Sequence, residues 1–184
     1  MRIIIKHYIL ILNYMKKGLQ KLEEEIKFIR RKGPLASIGG SAGPINGDMF
    51  HWQALFVGPI GSYYEGGLYY LEMIFSEEYP SVPPKVRMRT PIYHPNISTS
   101  GKICVDYLNY WKDENNIVGL LNAVYLLLSL TKEPEGGWKG YKDFNLEKTL
   151  ELKSKANLSQ KYDWNDKNWE SEKSLEFTII NLEN

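Results

Sequence analysis

The longest apolar run of the chain restricts its fold more than any other feature. Residues 117–130 read IVGLLNAVYLLLSL, with Asn115-Asn116 before the run and Pro134 beyond its end. The run is shorter than the roughly 20 residues that cross a membrane, and it is apolar on every side rather than along one stripe. We therefore predict a buried central helix over 117–130.

An amphipathic helix is predicted near the amino terminus, over residues 16–32. Apolar residues recur there at three- and four-residue spacing and form one stripe, Leu19, Leu22, Ile26 and Ile29. Gly33-Pro34 ends this helix. The opposite face carries more lysine and arginine than glutamate, which fits either an acidic partner or a solvated surface.

Short strands are predicted between the two helices, at residues 49–57, 68–75 and 86–89. Turn signals fill residues 35–48 and leave room for one more short strand. This spacing is typical of an antiparallel meander. Residues 90–114 hold prolines, glycines and asparagines with little periodicity, and long loops of this kind inside compact domains are usually functional.

A last helix is predicted at residues 145–158, with Leu146, Leu150 and Leu152 facing inward. Three regions follow: an extension at 1–15, a core domain at 16–158 and a carboxyl-terminal tail at 159–184. The first dozen residues resemble a secretory signal, but Lys6 and His7 interrupt them and no cleavage site follows. They are predicted to be an extension.

Composition narrows the class of protein. The 184 residues are 43% apolar and 24% charged, which is the balance of a globular chain, and the length fits one domain. The net charge of +1 gives no overall field, so we expect neither nucleic acid nor a membrane as partner. The single cysteine rules out an internal disulfide and favours the cytoplasm or nucleus.

That cysteine lies in the long loop, in the pattern Tyr93-His94-Pro95-Asn96, seven residues, Cys104-Val105-Asp106. Taken alone, an accessible loop thiol is a nucleophile, a redox sensor, a metal ligand or none of these. A zinc site would need more Cys or His nearby, and a dithiol site a second cysteine. A phosphatase would need arginine where Tyr110 stands, and a protease needs an imidazole base in place of a histidine locked before proline.

Several segments together resemble the ubiquitin-conjugating family: SAGP at 41–44, FHWQA at 50–54, YEGGLYYLEMIF at 64–75, YPSVPPKV at 79–86, and YHPNI followed by GKICVD. They cover roughly residues 16–134, in order and at the family's spacing. The resemblance implies an α+β fold with an N-terminal helix, a four-stranded antiparallel meander, an active-site loop and a central helix. The last forty residues of the chain do not resemble the final helices that are usual in the family.

The resemblance also implies roles for the loop residues. Cys104 matches the nucleophile that carries ubiquitin as a thioester, and Asn96 matches the residue that donates to the oxyanion or shapes the loop. His94 is expected to hold the loop by hydrogen bonds rather than act as a base, with Pro95 beside it. Tyr93 is expected to wall the groove, and Asp106 to orient the incoming lysine or cap the loop.

Partner surfaces follow from the same resemblance. The activating enzyme and a ligase are expected on one surface, formed by Lys16, Lys17, Lys21, Ser81, Val82 and Trp111. After Trp111 the chain has Lys112-Asp113-Glu114, which replaces apolar anchor surface by charge. Glu135 matches an acidic gate residue, and Ser41 lies where members bind a second ubiquitin weakly.

The remaining partners implied are ubiquitin or a ubiquitin-like protein and a protein substrate. ATP is consumed by the upstream activating enzyme, so neither a cofactor nor a metal is expected in this chain. Two alternatives stay open. The modifier is another ubiquitin-like protein, or the chain is an inactive variant that presents ubiquitin as a binding module; such variants typically lack the cysteine.

Overall fold

The N-terminal helix is longer than its sequence pattern predicted. The computed structural model describes residues 2–31, 33–129 and 146–155. Helix α1 spans Arg2–Arg30, whereas we predicted a start at Lys16. The prediction relied on a single apolar stripe. The first dozen residues, MRIIIKHYILIL, are mostly apolar and show no such stripe, so the prediction began the helix after them.

The inward stripe of α1 also differs at one position. Leu22, Ile26 and Ile29 are buried as predicted, but Leu19 is 37% exposed. Gly18 makes the close approach at this turn, since a Cβ there would lie 2.9 Å from the Tyr79 carbonyl oxygen. The helix therefore makes a close contact at a residue that has no side chain, and a pattern of apolar residues does not predict such a contact.

Four strands form one antiparallel sheet in the order β1-β2-β3-β4, and the predicted meander is confirmed. Their bounds are Ser41–Ile45 for β1, Asp48–Val57 for β2, Leu68–Ile74 for β3 and Lys85–Met88 for β4. Asn46 and Gly47, both with positive φ, make the two-residue turn from β1 to β2.

The central helix is confirmed, and one side of it is buried in the core while Leu126 is 64% exposed. Helix α3 spans Ile117–Ser129. Its core-facing side chains are exposed by at most 1%, and they are Ile117, Leu120, Leu121, Val124 and Leu128. They join the inward residues of the sheet, among them Trp52, Phe56 and Leu71, in one cluster. At about 1.5–3 kcal/mol for each large apolar side chain, this burial is a main stabilising contribution.

A buried carboxylate connects α1 to α3. Glu25 is 6% exposed, and it accepts hydrogen bonds from the Ile117 N–H at 2.6 Å and from the Tyr79 hydroxyl. The Ile117 N–H is one of the donors at the start of α3 that no residue of the helix itself can satisfy. Burial raises the pKa of Glu25 despite these two hydrogen bonds.

The last described helix, α4, spans Leu146–Lys155. The prediction that Leu150 faces inward is wrong, because Leu150 is 48% exposed and the adjacent Thr149 is 1% exposed. The side chains of Leu146 and Leu152 lie outside the described residues, as do Leu130 and the tail at 159–184. The division at 15/16 and 158/159 stays a prediction.

None of the helices in the described ranges is long and apolar enough to span a membrane.

Candidate active site

The loop after β4 is held against the sheet at Gly101. The Met88 N–H donates to the Gly101 carbonyl oxygen at 2.8 Å. Gly101 has φ of 86°, and a Cβ there would lie 2.1 Å from the Met88 carbonyl oxygen. Only glycine fits both the backbone conformation and the space, so this residue fixes where the loop returns toward the cysteine.

Two extended segments then pair across the loop. Ile97 faces Ile103 in an antiparallel bridge, and both side chains are buried. The Cys104 N–H donates to the Asn96 carbonyl oxygen at 2.8 Å, and the Ser98 N–H donates to the Lys102 carbonyl oxygen at 2.9 Å. Asn96 and Cys104 are therefore direct cross-strand neighbours on a rigid backbone.

The thiol of Cys104 is partly exposed, so a large partner can reach it. The Asn109 carboxamide nitrogen lies 3.8 Å from the Cys104 sulfur and donates toward it. Asn109 ends α2, a four-residue helix spanning Asp106–Asn109. Sequence reasoning missed both α2 and Asn109, because a single helical turn has too few residues to show a period.

His94 is buried, and both of its ring nitrogens are hydrogen bonded. Nδ1 accepts from the Asn96 N–H at 3.0 Å, so Nε2 carries the proton and donates to the Leu127 carbonyl oxygen at 3.2 Å. Burial lowers the pKa of His94 to about 4. The neutral ring thus connects the loop to α3, and neither nitrogen is left to take a proton from a reactant.

The other predicted loop residues are Tyr93, Pro95 and Asp106. The Tyr93 carbonyl oxygen accepts from the Tyr64 hydroxyl at 2.7 Å, and the Lys148 ammonium lies 5.2 Å from the centre of the Tyr93 ring. Pro95 is partly buried, and Asp106 is exposed in the first turn of α2. Asp106 is therefore open to a partner, and its side chain makes no hydrogen bond to Cys104 in the described part of the chain.

The comparison with known families settles what this arrangement belongs to. The model of the family described as "Ubiquitin-conjugating enzyme" matches residues 21–159, well over half of the chain and including all four strands, the loop and α3.

The chain belongs to the ubiquitin-conjugating enzyme family. The resemblance seen in the sequence is confirmed, and so is the α+β fold that it implied. Ubiquitin-conjugating enzymes are transferases that work in general with ubiquitin, an activating enzyme and a ligase.

The residues predicted for the ligase and activating-enzyme surface partly come together. The Lys17 ammonium lies 3.5 Å from an Asp113 carboxylate oxygen, and the Ser81 hydroxyl donates to the same oxygen at 3.2 Å. The Trp111 indole N–H donates to the Pro80 carbonyl oxygen at 2.7 Å. Asp113, which the prediction treated only as added charge, therefore links α1 to the proline-rich loop.

Of the other predicted positions of this ubiquitin-conjugating enzyme, Lys21 lies one helical turn after Lys17 on α1. Lys21 is partly buried and lines a shallow depression with Phe28 and Val118. Ser41 is exposed at the start of β1, beside a depression on the outer face of the sheet lined by Gln53, Leu55 and Tyr70. Glu135 lies outside the described residues. Lys16 and Val82 are exposed, Val82 by 38%.

No cluster of His, Cys, Asp and Glu able to hold a metal ion occurs within residues 2–31, 33–129 and 146–155.

Proposed function

We propose that this ubiquitin-conjugating enzyme accepts the carboxyl terminus of ubiquitin from an activating enzyme as a thioester on Cys104 and passes it to a lysine amine of a protein substrate, with a ligase. The observation that supports this mechanism is the partly exposed Cys104, whose backbone N–H is held by a hydrogen bond to the Asn96 carbonyl oxygen. A reachable sulfur on a rigid loop suits exchange between two large proteins.

Loading exchanges one thioester for another. The Cys104 thiolate attacks the carbonyl carbon held by the activating enzyme, the new C–S bond forms, and the activating enzyme's sulfur leaves with the electron pair. Bond types on the two sides are the same, so the step is nearly balanced and needs no strong base. This fits the structure of His94, whose nitrogens are both occupied.

Transfer is the more demanding step. A neutral lysine amine attacks the thioester carbonyl, the C–N bond forms, the Cys104 thiolate leaves, and the proton from nitrogen goes to solvent. In this mechanism Asn96 donates to the transient oxyanion. Asn96 uses its backbone N–H and C=O for the loop, and among the described residues its carboxamide has no hydrogen-bond partner, so the amide remains available.

Asp106 orients the incoming lysine in this mechanism, since it is exposed two residues beyond the sulfur. Tyr93 walls the groove on the side where Lys148 lies over its ring. Pro95 stiffens the backbone between His94 and Asn96, because its ring fixes φ. The ATP that drives the cycle is used by the activating enzyme, and no cofactor or metal is required at Cys104.

The ligase is proposed to dock where Lys17, Ser81 and Asp113 meet, beside exposed Val82. Because charge replaces apolar anchor surface there, the affinity for a ligase is expected to fall with added salt more than for an apolar contact. A weak contact with a second ubiquitin is proposed around Ser41. The proposed compartment is the cytoplasm or nucleus, where a lone thiol stays reduced.

The test is loading with activating enzyme, ATP and a panel of ubiquitin and ubiquitin-like proteins, read on gels with and without reductant. We expect an adduct of wild-type protein that thiol reductant removes. Cys104→Ser should give an adduct that resists reductant and is cleaved by mild base, because an oxyester replaces the thioester. Cys104→Ala should give none.

Folded wild-type protein that forms no adduct with any member of the panel would contradict the proposed function. An adduct with a modifier other than ubiquitin would keep the chemistry and change the modifier. Full cellular function of Cys104→Ala would instead support a ubiquitin-presenting binding module.

A further inference from the structure

A lysine shares the exposed face of the loop with the thiol. Lys102 and Cys104 flank Ile103, which is 6% exposed and points into the core. Lys102 bridges to Arg87 and Ile103 to Ile97, so the backbone here is extended. Side chains alternate along extended backbone, and Lys102 and Cys104 therefore point to the side opposite Ile103. Lys102 is exposed and Cys104 partly exposed.

The spacing between the two side chains is fixed by hydrogen bonds on both residues. The Lys102 N–H donates to the Ser98 hydroxyl oxygen at 3.0 Å, and the Lys102 carbonyl oxygen accepts from the Ser98 N–H at 2.9 Å. The Cys104 N–H donates a hydrogen bond to the Asn96 carbonyl oxygen. Extended residues two apart have Cα atoms about 6.5–7 Å apart, and the four-carbon lysine stem reaches about 6 Å.

We propose that Lys102 is a modification site, and that its amine accepts the modifier from the thioester on Cys104 of the same molecule. This inference rests on the proposed function. The neutral Nζ attacks the thioester carbonyl, the C–N bond forms, the C–S bond breaks, Cys104 leaves as thiolate, and the proton from nitrogen goes to solvent. The product is an isopeptide bond beside the active site, so modified protein reloads more slowly.

The reaction is favoured by proximity rather than by a special base. Two groups held within reach on one rigid backbone react as if each were present at a high local concentration. The rate is therefore expected to be first order and independent of enzyme concentration. It should be visible only when no other amine competes for the thioester.

Lys148 provides a matched control. It is also exposed and also lies beside the active-site loop, with its ammonium 5.2 Å from the centre of the Tyr93 ring. It belongs to α4 rather than to the segment that carries Cys104, so it lacks the fixed spacing that Lys102 has. Lys148→Arg and Lys102→Arg both keep a positive charge and remove the amine.

The experiment loads the full-length protein with ubiquitin, removes ATP, and follows the decay of the thioester without added amine. In wild-type protein we expect a reductant-resistant product that mass spectrometry maps to Lys102. Its rate should fall by about tenfold or more in Lys102→Arg and stay unchanged in Lys148→Arg. Loading of Lys102→Arg at the wild-type rate would show that the variant is folded.

Three results would overturn the inference while leaving the proposed function intact: a resistant product that maps elsewhere, one that survives in Lys102→Arg, or one whose rate rises with enzyme concentration. If Lys102→Arg loads poorly, the mapped site and the concentration dependence in wild-type protein decide. Absence of any thioester would overturn the proposed function and this inference together, and the loading gel distinguishes that outcome.

Discussion

The carboxamide nitrogen of Asn109 lies 3.8 Å from the sulfur of Cys104, at the far end of the single helical turn that follows the cysteine. The contact places a hydrogen-bond donor on the only thiol of the chain. A donor of this kind stabilises a sulfur that carries negative charge more than a neutral one. We therefore expect Asn109 to position the Cys104 thiol.

Removing this donor should slow the chemistry of the thiol. Asn109→Ala is expected to lower the second-order rate of Cys104 alkylation by iodoacetamide at neutral pH by roughly two- to tenfold, the effect of one hydrogen bond of about 0.5–1.5 kcal/mol. Asn115→Ala is the control, because Asn115 lies outside α2 and its side chain makes no hydrogen bond to Cys104 among the described residues. Equal alkylation rates in both variants would show that the Asn109 contact has no effect on the sulfur.

His94 should make the protein less stable in mild acid. Its pKa is about 4 in the folded protein and about 6.5 when unfolded, so between these values the unfolded state binds the additional proton. The stability due to the neutral ring is therefore present above about pH 6.5 and lost as pH falls toward 4. At about 1.4 kcal/mol per pH unit, the loss approaches about 3 kcal/mol.

The measurement is urea unfolding of wild type and His94→Gln between pH 7.5 and 4.5. The variant should be less stable at pH 7.5, because the bonds to Leu127 and Asn96 are disturbed, but its stability should decline less steeply in acid. Carboxylates contribute equally to both curves, so their difference isolates the imidazole. Two parallel curves would mean that His94 is protonated as readily in the folded state as in the unfolded state.

Glu25 should be essential to the junction of α1 and α3. Glu25→Ala leaves the Ile117 N–H and the Tyr79 hydroxyl without their acceptor and is expected to lower the free energy of unfolding by about 2–4 kcal/mol. Glu24→Ala, next to it on the exposed side of α1, should change it by less than about 0.5 kcal/mol. Chemical denaturation measures both, and similar losses would show that the buried contacts are not what stabilises the junction.

Gly101 should tolerate no side chain, and Gly47 supplies the comparison. Both have positive φ, 86° and 81°, but an added Cβ meets the Met88 carbonyl oxygen at 2.1 Å only at Gly101, and nothing within 4 Å at Gly47. Gly47→Ala should cost about 1 kcal/mol from backbone strain. Gly101→Ala should cost at least about 2 kcal/mol more, since a rigid backbone must move.

Unfolding in urea gives these two costs, and thioester formation gives a second readout. Gly101→Ala should load more slowly because the loop that holds Cys104 is displaced, whereas Gly47→Ala should load normally. A Gly101→Ala protein with the stability of Gly47→Ala would mean that the loop adjusts easily to a side chain at this position.

Much of the architecture could be predicted from the sequence. The apolar run at 117–130 predicted a helix packed into the core, and its inward side is buried although Leu126 is 64% exposed. The strands followed from short apolar segments between turns. The pattern around His94, Asn96 and Cys104 pointed to the loop and to the family. These predictions succeed because the apolar residues that an element buries lie within that element and can be read from its own sequence.

The tertiary structure alone decided which groups meet. Leu127, 33 residues from His94, supplies the carbonyl oxygen that accepts a hydrogen bond from the imidazole Nε2. The Glu25 carboxylate accepts a hydrogen bond from the Ile117 N–H, 92 residues away in the sequence. Asn109 reaches the sulfur only because one helical turn follows the cysteine, and Thr149 rather than Leu150 is buried. Periodicity reports whether a side chain faces inward, but hydrogen-bond partners distant in the chain depend on how the elements pack, and no local pattern encodes that.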